Sequence, residues 1–214
     1  MTSAKRLRAD ARRNRDALLA KAREIFDAGG FDLRFDDFAR LAGVGIGTLY
    51  RHFPTREALA EAVYREEVAA MCAHARDLRA MLPPDEALAA FLRGFVSHLR
   101  AHQGLARTLA TLMATRSVAL TEGSEALAQA IGELLAAAAE DGTIRHDVGV
   151  GPVMMALHGI SAAYDRPGGP ADADGVNGLV LDGLRHRPPA TAGGHSPGAP
   201  TDTDTGSCHP HVPS

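Results

Sequence analysis

Aromatic residues are scarce in this chain: they make up 5% of its 214 residues, and tryptophan is absent. Sheets depend on aromatic and β-branched side chains, whereas alanine and leucine, which dominate here, are strong helix formers. The scarcity therefore disfavours a β-rich domain. Together with a hydrophobic fraction of 45%, it predicts an all-α fold in which helices pack on helices around a substantial core.

Cysteines and long apolar runs are also rare. The two cysteines, Cys72 and Cys208, lie far apart in the sequence, so we expect no disulfide framework and a reducing compartment. There is no run of about 18 apolar residues, the length that a membrane span requires. The basic N-terminus lacks the apolar core of a signal peptide. These features predict a cytoplasmic protein.

Acidic residues are outnumbered only near the N-terminus. Residues 1–56 carry 12 Lys and Arg against 7 Asp and Glu, a net charge of +5, whereas the rest of the chain has a net charge of −8. A basic module on an acidic body is expected when only one end of a protein contacts phosphates. A solvated basic face with no ligand gives the same pattern.

Helical periodicity predicts about nine helices, and no strand pattern or internal repeat is present. Gly29, Gly43 and Pro54 end the first three helices. Residues near both ends have too few large apolar groups to form a core. The expected organisation is a flexible basic arm over 1–13, a three-helix unit over 14–60, a second helical unit over 61–187 and a disordered tail over 188–214.

The third predicted helix follows Gly43, a residue that tolerates the backbone angles of a tight turn. Ala39 is small enough to let the second and third helices cross closely, and Leu49 would pin the crossing from inside. This is a helix-turn-helix, whose second helix suits the major groove of DNA. Its outward positions are Gly45, Ile46, Gly47, Thr48, Tyr50, Arg51 and His52.

This region resembles the TetR family of bacterial repressors. The resemblance covers residues 14–64 and rests on Ala42-Gly43-Val44, Gly47-Thr48-Leu49-Tyr50, His52-Phe53-Pro54 and Leu59. It implies a three-helix DNA-binding domain, a C-terminal helical bundle for ligand binding and dimerisation, and a homodimer on a palindromic operator. A small-molecule effector would release the operator, and the protein would act at the bacterial nucleoid. The C-terminal part is more loosely similar to an actinobacterial, SbtR-like subgroup, through 125–127 and 142–145.

Carried over by position, the resemblance implies that Tyr50 and His52 bind phosphates at the end of the recognition helix. Thr48 matches a position that contacts a phosphate or a base edge, and Gly47 lets the backbone approach the DNA. Arginines around this helix are implied to reach phosphates, a base edge or the minor groove. They are Arg8, Arg12, Arg13, Arg40 and Arg56.

Two positions depart from the family pattern. Gly45 stands where a capping Ser or Thr is usual, so the recognition helix lacks a side-chain acceptor at its start. Arg34 stands near the start of the second helix, where Thr is common, and is expected to exchange a cap for a phosphate contact. With glycine at two outward positions, Ile46, Thr48 and Arg51 are the expected readers of base edges.

The C-terminal unit holds polar and flexible residues on otherwise apolar helices, although a histidine on such a face is more often an ordinary core residue. The candidates for an effector pocket are His74, Phe95, His98, His102, Met113, Arg116, Met155 and His158. His98 and His102 have the i, i+4 spacing of zinc ligands but no further ligand nearby, so we expect neither metal nor cofactor. A two-fold dimer interface is expected on the last two helices, through Val153, Leu157, Ile160, Leu179, Val180 and Leu184.

The sequence gives less support to other classes of function. The chain has no glycine-rich phosphate loop, nucleophile elbow or paired carboxylates on one helix face, so no enzyme is expected. A ligand-binding or scaffold protein that has lost DNA binding is disfavoured by the intact Thr48, Tyr50 and His52. An activator remains an alternative to a repressor. The effector and the operator are not identified by the sequence.

Overall fold

The computed structural model describes residues 2–30, 33–102, 104–105, 118–164 and 166–185. All regular secondary structure in these ranges is α-helical, which confirms the all-α prediction. The predicted tail over 188–214 and most of the predicted sixth helix lie outside the described residues. Eight helices are defined within the described ranges: α1 (Thr2–Asp27), α2 (Phe35–Leu41), α3 (Ile46–His52), α4 (Arg56–Met81), α5 (Pro84–Ala101), α6 (Val118–Glu140), α7 (Val150–Ala163) and α8 (Gly169–Arg185).

Helix α1 begins at Thr2, so the flexible arm expected over residues 1–13 is wrong for residues 2–13. The expectation relied on the lack of large apolar groups in this segment. A segment rich in alanine and arginine has high helix propensity without an apolar face. An ion pair between Asp10 and Arg13, one turn apart, also favours the helix. The predicted contact residues Arg8 and Arg12 are thus exposed on a helix.

The N-terminal core joins α1, α2, α3 and the first turns of α4. It is formed by Leu18, Phe26, Phe38, Leu49 and Leu59, all fully buried. The Phe26 and Phe38 rings pack at a tilt with centroids 5.5 Å apart. Because four helices each supply side chains, the short helices α2 and α3 depend on α1, on α4 and on each other for their burial.

Helix α4 runs from the N-terminal domain into the C-terminal body. It begins at the expected cap, since the Thr55 hydroxyl accepts a hydrogen bond from the Ala58 backbone N–H at 3.1 Å. Pro84 occupies the first turn of α5, where its missing N–H costs nothing. The body core lies between α4 and the four helices that follow, and includes Leu78, Leu88, Phe91, Ile131, Leu134 and Leu157.

The last two helices bury most of the residues that were expected at a dimer interface. Four of the six lie in the protomer's own core, so their placement at a dimer interface is wrong: Val153, Leu157, Ile160 and Leu184. Val180 is half-buried against that core, and Leu179 is 73% exposed. The strongest apolar stripe of each helix faces its own chain, and periodicity does not tell an internal partner from an external one. Three large apolar residues of these two helices are exposed: Met155 on α7, and Val176 and Leu179 on α8.

Candidate nucleic-acid interface

Helices α2 and α3 form the predicted helix-turn-helix. Gly43 adopts the left-handed conformation with a φ of 67°, which confirms the turn expected there. Ala39 and Leu49 are fully buried at the crossing, and Val44 packs against the same core. Small and medium side chains in the turn therefore hold α3 at a fixed angle on the domain, with its opposite side free.

The free side of α3 exposes apolar surface to solvent. Ile46 is 50% exposed and Tyr50 is 46% exposed, although both are large and apolar in part. A Cβ added to Gly47 would meet nothing within 4 Å, so this side of the helix is open at its middle. Gly45 is the N-cap residue and makes no side-chain capping hydrogen bond, as its lack of a side chain predicts. The result is a narrow, uncovered helix face.

The Tyr50 side chain is oriented by α2. Its hydroxyl donates a hydrogen bond to Asp36 Oδ1 at 2.8 Å. Its ring meets Phe35 edge-on, with centroids 5.4 Å apart and an interplanar angle of 86°. The hydrogen bond to Asp36, and secondarily burial, raise the pKa of the Tyr50 phenol, against an opposing effect of Arg34.

Two arginines of the helix-turn-helix lie along their own helices. Arg51 Nε donates to the Gly47 carbonyl at 2.9 Å, and its Nη2 donates to Thr48 Oγ1 at 3.1 Å. Arg40 pairs with Asp37 at 2.8 Å, one turn earlier on α2. Exposed pairs of this kind contribute little stability. Both guanidinium groups can therefore exchange these partners for phosphate or base atoms at low cost.

The remaining predicted contacts lie at helix ends of the same domain. Arg34 is the N-cap residue of α2 and makes no side-chain cap, as the departure from the family pattern predicts. Arg56 donates to the Leu33 carbonyl and lies 5.8 Å from the centroid of the Phe38 ring, so it also fastens α4 to the domain. His52 is half-buried at the end of α3. The role of these residues in DNA binding stays a prediction.

Comparison with known proteins identifies this arrangement. Residues 18–63 match the family model "Bacterial regulatory proteins, tetR family", and residues 83–186 match "Transcriptional regulator SbtR-like, C-terminal domain". The crystal structure of the TetR transcriptional regulator SCO0520 from Streptomyces coelicolor is similar with a TM-score of 0.64 and 43% identity, covering 80% of this chain and 98% of that one. This chain belongs to the TetR family. The resemblance expected from its sequence is confirmed.

Two further relatives support the assignment. A TetR transcription regulatory protein from Mycobacterium vanbaalenii is 39% identical, with a TM-score of 0.64, over 84% of this chain and 99% of its own. The HTH-type transcriptional regulator SAR0097 of Staphylococcus aureus is 33% identical over 76 residues, which are 34% of this chain and 39% of that protein. DNA-binding transcriptional regulation is therefore the function class of this TetR-family chain.

Charged groups join the DNA-binding domain of the TetR-family chain to its body. His98 Nε2 on α5 lies 3.3 Å from Glu67 Oε2 on α4, and Glu67 also accepts from Arg23 on α1. His102 Nδ1 lies 3.2 Å from Asp27 Oδ2 at the end of α1. The two histidine rings are 4.8 Å apart. We call these five residues the junction cluster.

Burial has the largest effect on the pKa of His98. It lowers the pKa of the imidazole, although the Glu67 carboxylate raises it, and the neighbouring His102 lowers it further. The imidazole is therefore mainly neutral at pH 7. The two histidines were expected to orient an effector, but the structure places them on the contact between α1, α4 and α5.

The chain also joins the domains directly after α5. A Cβ at Gly104 would collide with the Asp27 carbonyl, so only glycine fits against the end of α1. Leu105 is 1% exposed and belongs to the N-terminal core. The start of the segment that follows α5 is thus inserted beneath the DNA-binding domain.

The predicted effector pocket is only partly assembled. The prediction that His74, Met155 and His158 line the pocket is wrong, because all three are exposed. Phe95 is half-buried and packs against the two buried clusters of the body, as a pocket residue would. Met113 and Arg116 lie outside the described residues. A polar residue at the edge of an apolar stripe faces solvent as readily as the interior, and the sequence does not separate the two cases.

Asn177 is a candidate that sequence reasoning missed. It lies on α8, is 4% exposed, and its Oδ1 has no hydrogen-bond partner in the part of the chain that the structure describes. Ala173 and Leu181, one turn to either side, are also buried. The sequence could have identified Asn177, because it falls at the same helical spacing as the inward apolar residues Ala173 and Leu181. Buried polar atoms are usually satisfied, so the unpaired Oδ1 makes Asn177 a candidate polar anchor for a ligand in the body.

Metal and membrane sites receive no support from the described ranges. There, no three His, Cys, Asp or Glu side chains are grouped to hold a metal ion. None of the helices in that part combines the length and hydrophobicity of a membrane span.

Proposed function

We propose that this chain is a ligand-responsive repressor, which binds a palindromic operator as a homodimer and is released by a small molecule. The observation that carries the proposal is the exposed face of α3, where Ile46 and Tyr50 stand one turn apart beside the open Gly47. An exposed helix face on a module of net charge +5 suits the major groove. Such a repressor acts in the bacterial cytoplasm, at the nucleoid.

In this proposal the contacts divide into two kinds. Tyr50 and His52 bind phosphates, as do arginines that border the face. Ile46 contacts thymine methyl groups, while Thr48 and Arg51 donate to base edges. The bordering residues that position the domain on the DNA backbone are Arg34, Arg40, Arg56 and the backbone at Gly45 and Gly47.

A second copy of the chain is proposed to cover the exposed face of α7 and α8. Met155 on α7 is 75% exposed, and Val176 and Leu179, one turn apart on α8, are also exposed. A Cβ at Gly159 or Gly183 would meet nothing within 4 Å. Small residues let helices approach closely, and a two-fold contact between two such helix pairs gives the symmetry that a palindrome requires.

The effector is proposed to bind in the body, where Asn177 supplies a buried acceptor on α8. One turn away on the same helix, Ala173 belongs to the apolar cluster against which Phe95 packs. A polar group within an apolar wall is the usual design of a small-molecule site. Binding there is proposed to shift α4 and α5, and the junction cluster is proposed to transmit this shift to α1.

Selection of duplexes from a random pool by the purified chain, followed by footprinting, tests the proposal. The expected result is an enriched inverted repeat, protected over both halves by a dimer. Binding without any enriched sequence would contradict the assignment as an operator-specific repressor. Repeating the footprint with a panel of apolar compounds is expected to identify one that abolishes protection.

Replacing Tyr50 with alanine tests the phosphate contact. Operator affinity is expected to fall about tenfold, while the slope of log K against log salt stays nearly the same, because a neutral hydroxyl displaces no counterion from the DNA. Anisotropy titrations measure both, with thermal unfolding as the check on the fold. Y64F, at a half-buried tyrosine of α4, is the control and should bind normally. Unchanged affinity in Y50A would remove Tyr50 from the interface.

A further inference from the structure

The single proton of the Tyr50 hydroxyl is already used in the free protein. It is donated to Asp36 Oδ1 at 2.8 Å, and the edge-on Phe35 ring holds the phenol in that direction. A phenol donates one hydrogen bond. A phosphate oxygen can therefore accept from Tyr50 only after Asp36 has released it, even though the ring is well exposed.

Asp36 also places negative charge where phosphates are expected. It stands in the first turn of α2, next to Asp37, which takes up Arg40. A phosphate within reach of the Tyr50 oxygen would lie a few ångströms from the Asp36 carboxylate, and like charges at that range repel. Arg34 is the neighbouring cation that opposes Asp36 at Tyr50.

We propose that Asp36 limits the DNA affinity of the recognition helix by holding the Tyr50 hydroxyl and repelling the phosphate that would replace it. Asp36 is thus a positioning residue, which acts through Tyr50. The inference rests on the proposed function, because it needs Tyr50 at a phosphate. It predicts that this repressor binds DNA less tightly than its cationic surface permits.

The test uses D36N and D36A in the full chain, each alone and with Y50F. The probe is a labelled duplex of mixed sequence, whose binding depends on phosphate contacts alone. Anisotropy titrations at low and moderate salt give the affinities. D172N is the matched control, because it removes the same charge from an exposed pair with Arg166, 3.2 Å away on the body.

D36N and D36A are expected to tighten binding about threefold to tenfold, whereas D172N leaves it nearly unchanged. Most of this gain should vanish in the Y50F background, where no hydroxyl is left to release. Thermal unfolding shows whether α2 still folds. D36N keeps the shape and the weaker acceptor of the side chain, so it stands in if D36A is unstable.

Two results would overturn the inference while leaving the proposed function intact. In the first, wild type binds DNA but the Asp36 variants bind no better or less well, so that Asp36 presents Tyr50 to the phosphate or has no role. In the second, the gain persists undiminished in Y50F, so that charge alone acts. If wild type binds no DNA at low salt, the proposed function fails and the inference with it.

Discussion

Polar side chains have different partners on the helix-turn-helix than at the junction and in the body. On the helix-turn-helix, polar groups pair at the surface: Arg40 with Asp37 on the same helix, 3 residues away, and Tyr50 with Asp36 on the neighbouring helix, 14 residues away. At the junction, pairs join distant parts of the chain, such as His102 and Asp27, 75 residues apart. In the body, Asn177 Oδ1 is buried with no partner among the described residues.

The helix-turn-helix therefore has polar groups that can change partners, whereas the junction and the body have polar groups held between helices. An exposed ion pair within one helix, such as Arg40 with Asp37, costs little to break, so DNA can replace it. The bond between Tyr50 and Asp36 also lies at the surface, but it is proposed to oppose binding. A buried polar group, such as Glu67 at the junction, loses more when a partner moves, because it cannot turn fully to water. The first arrangement suits reversible binding, and the second suits sensing a shift between helices.

The largest expected effect tests whether the two regions are separable units. F38A should lower the free energy of unfolding of the N-terminal domain by about 3–5 kcal/mol and abolish DNA binding while most of the helix signal remains. F91A is a matched deletion in the body core. It should unfold the body first, so that most of the helix signal is lost before the DNA-binding domain unfolds. Circular dichroism and anisotropy during denaturation measure both. One shared transition in both variants would break the comparison.

A pair of glycines tests the geometry of the binding surface. G43A should cost about 1–2 kcal/mol, because a Cβ is strained at a φ of 67°. G47A lies within α3 in open space and should instead stabilise the domain by about 0.5–1 kcal/mol. Urea unfolding measures both. Equal effects would show that the turn does not require the left-handed conformation.

Asn177 tests the body in the same way. N177L keeps the approximate shape and removes the unpaired acceptor, so it should raise the free energy of unfolding by about 1 kcal/mol. N177D is the contrasting variant and should destabilise, because it buries a charge. If N177L destabilises the protein in thermal unfolding, Asn177 has a partner and the anchor assignment is wrong.

The smallest effect concerns pH at the junction. Burial lowers the pKa of His98 below that of a histidine in the unfolded chain, which is about 6.5. Below that pH the unfolded chain binds more protons than the folded one, so stability falls as the pH falls toward the lowered pKa. H98N should flatten this dependence in unfolding measured across the range. H158N, at an exposed histidine, should not.

Much of the N-terminal domain could be predicted because its signals are local. Gly43 ends one helix and Thr55 caps another within a few residues, and Leu49 takes its inward position from the period of its own helix. The same locality misled the interpretation of residues 1–13, because a helix can form on propensity without an apolar stripe.

Predictions for the body failed where they depended on which partner a stripe faces. Leu157 and Leu179 are both leucines on amphipathic helices, yet the first is buried and the second exposed. His98 and His158 are both histidines on apolar helices, yet one joins α4 and the other faces solvent. Periodicity assigns a face to a residue, and the packing of other helices decides what covers it.

The sequence by itself determined the all-α fold, the helix-turn-helix with its outward residues, and the family, because helix breakers, caps and short motifs act over a few residues. Only the tertiary structure decided that Asp36 holds Tyr50, that His98 and His102 link α1 to α4 and α5, and that Asn177 is buried. These relations join residues on different helices. Their physical basis is the long-range packing that brings charges and apolar faces together, which no local pattern records.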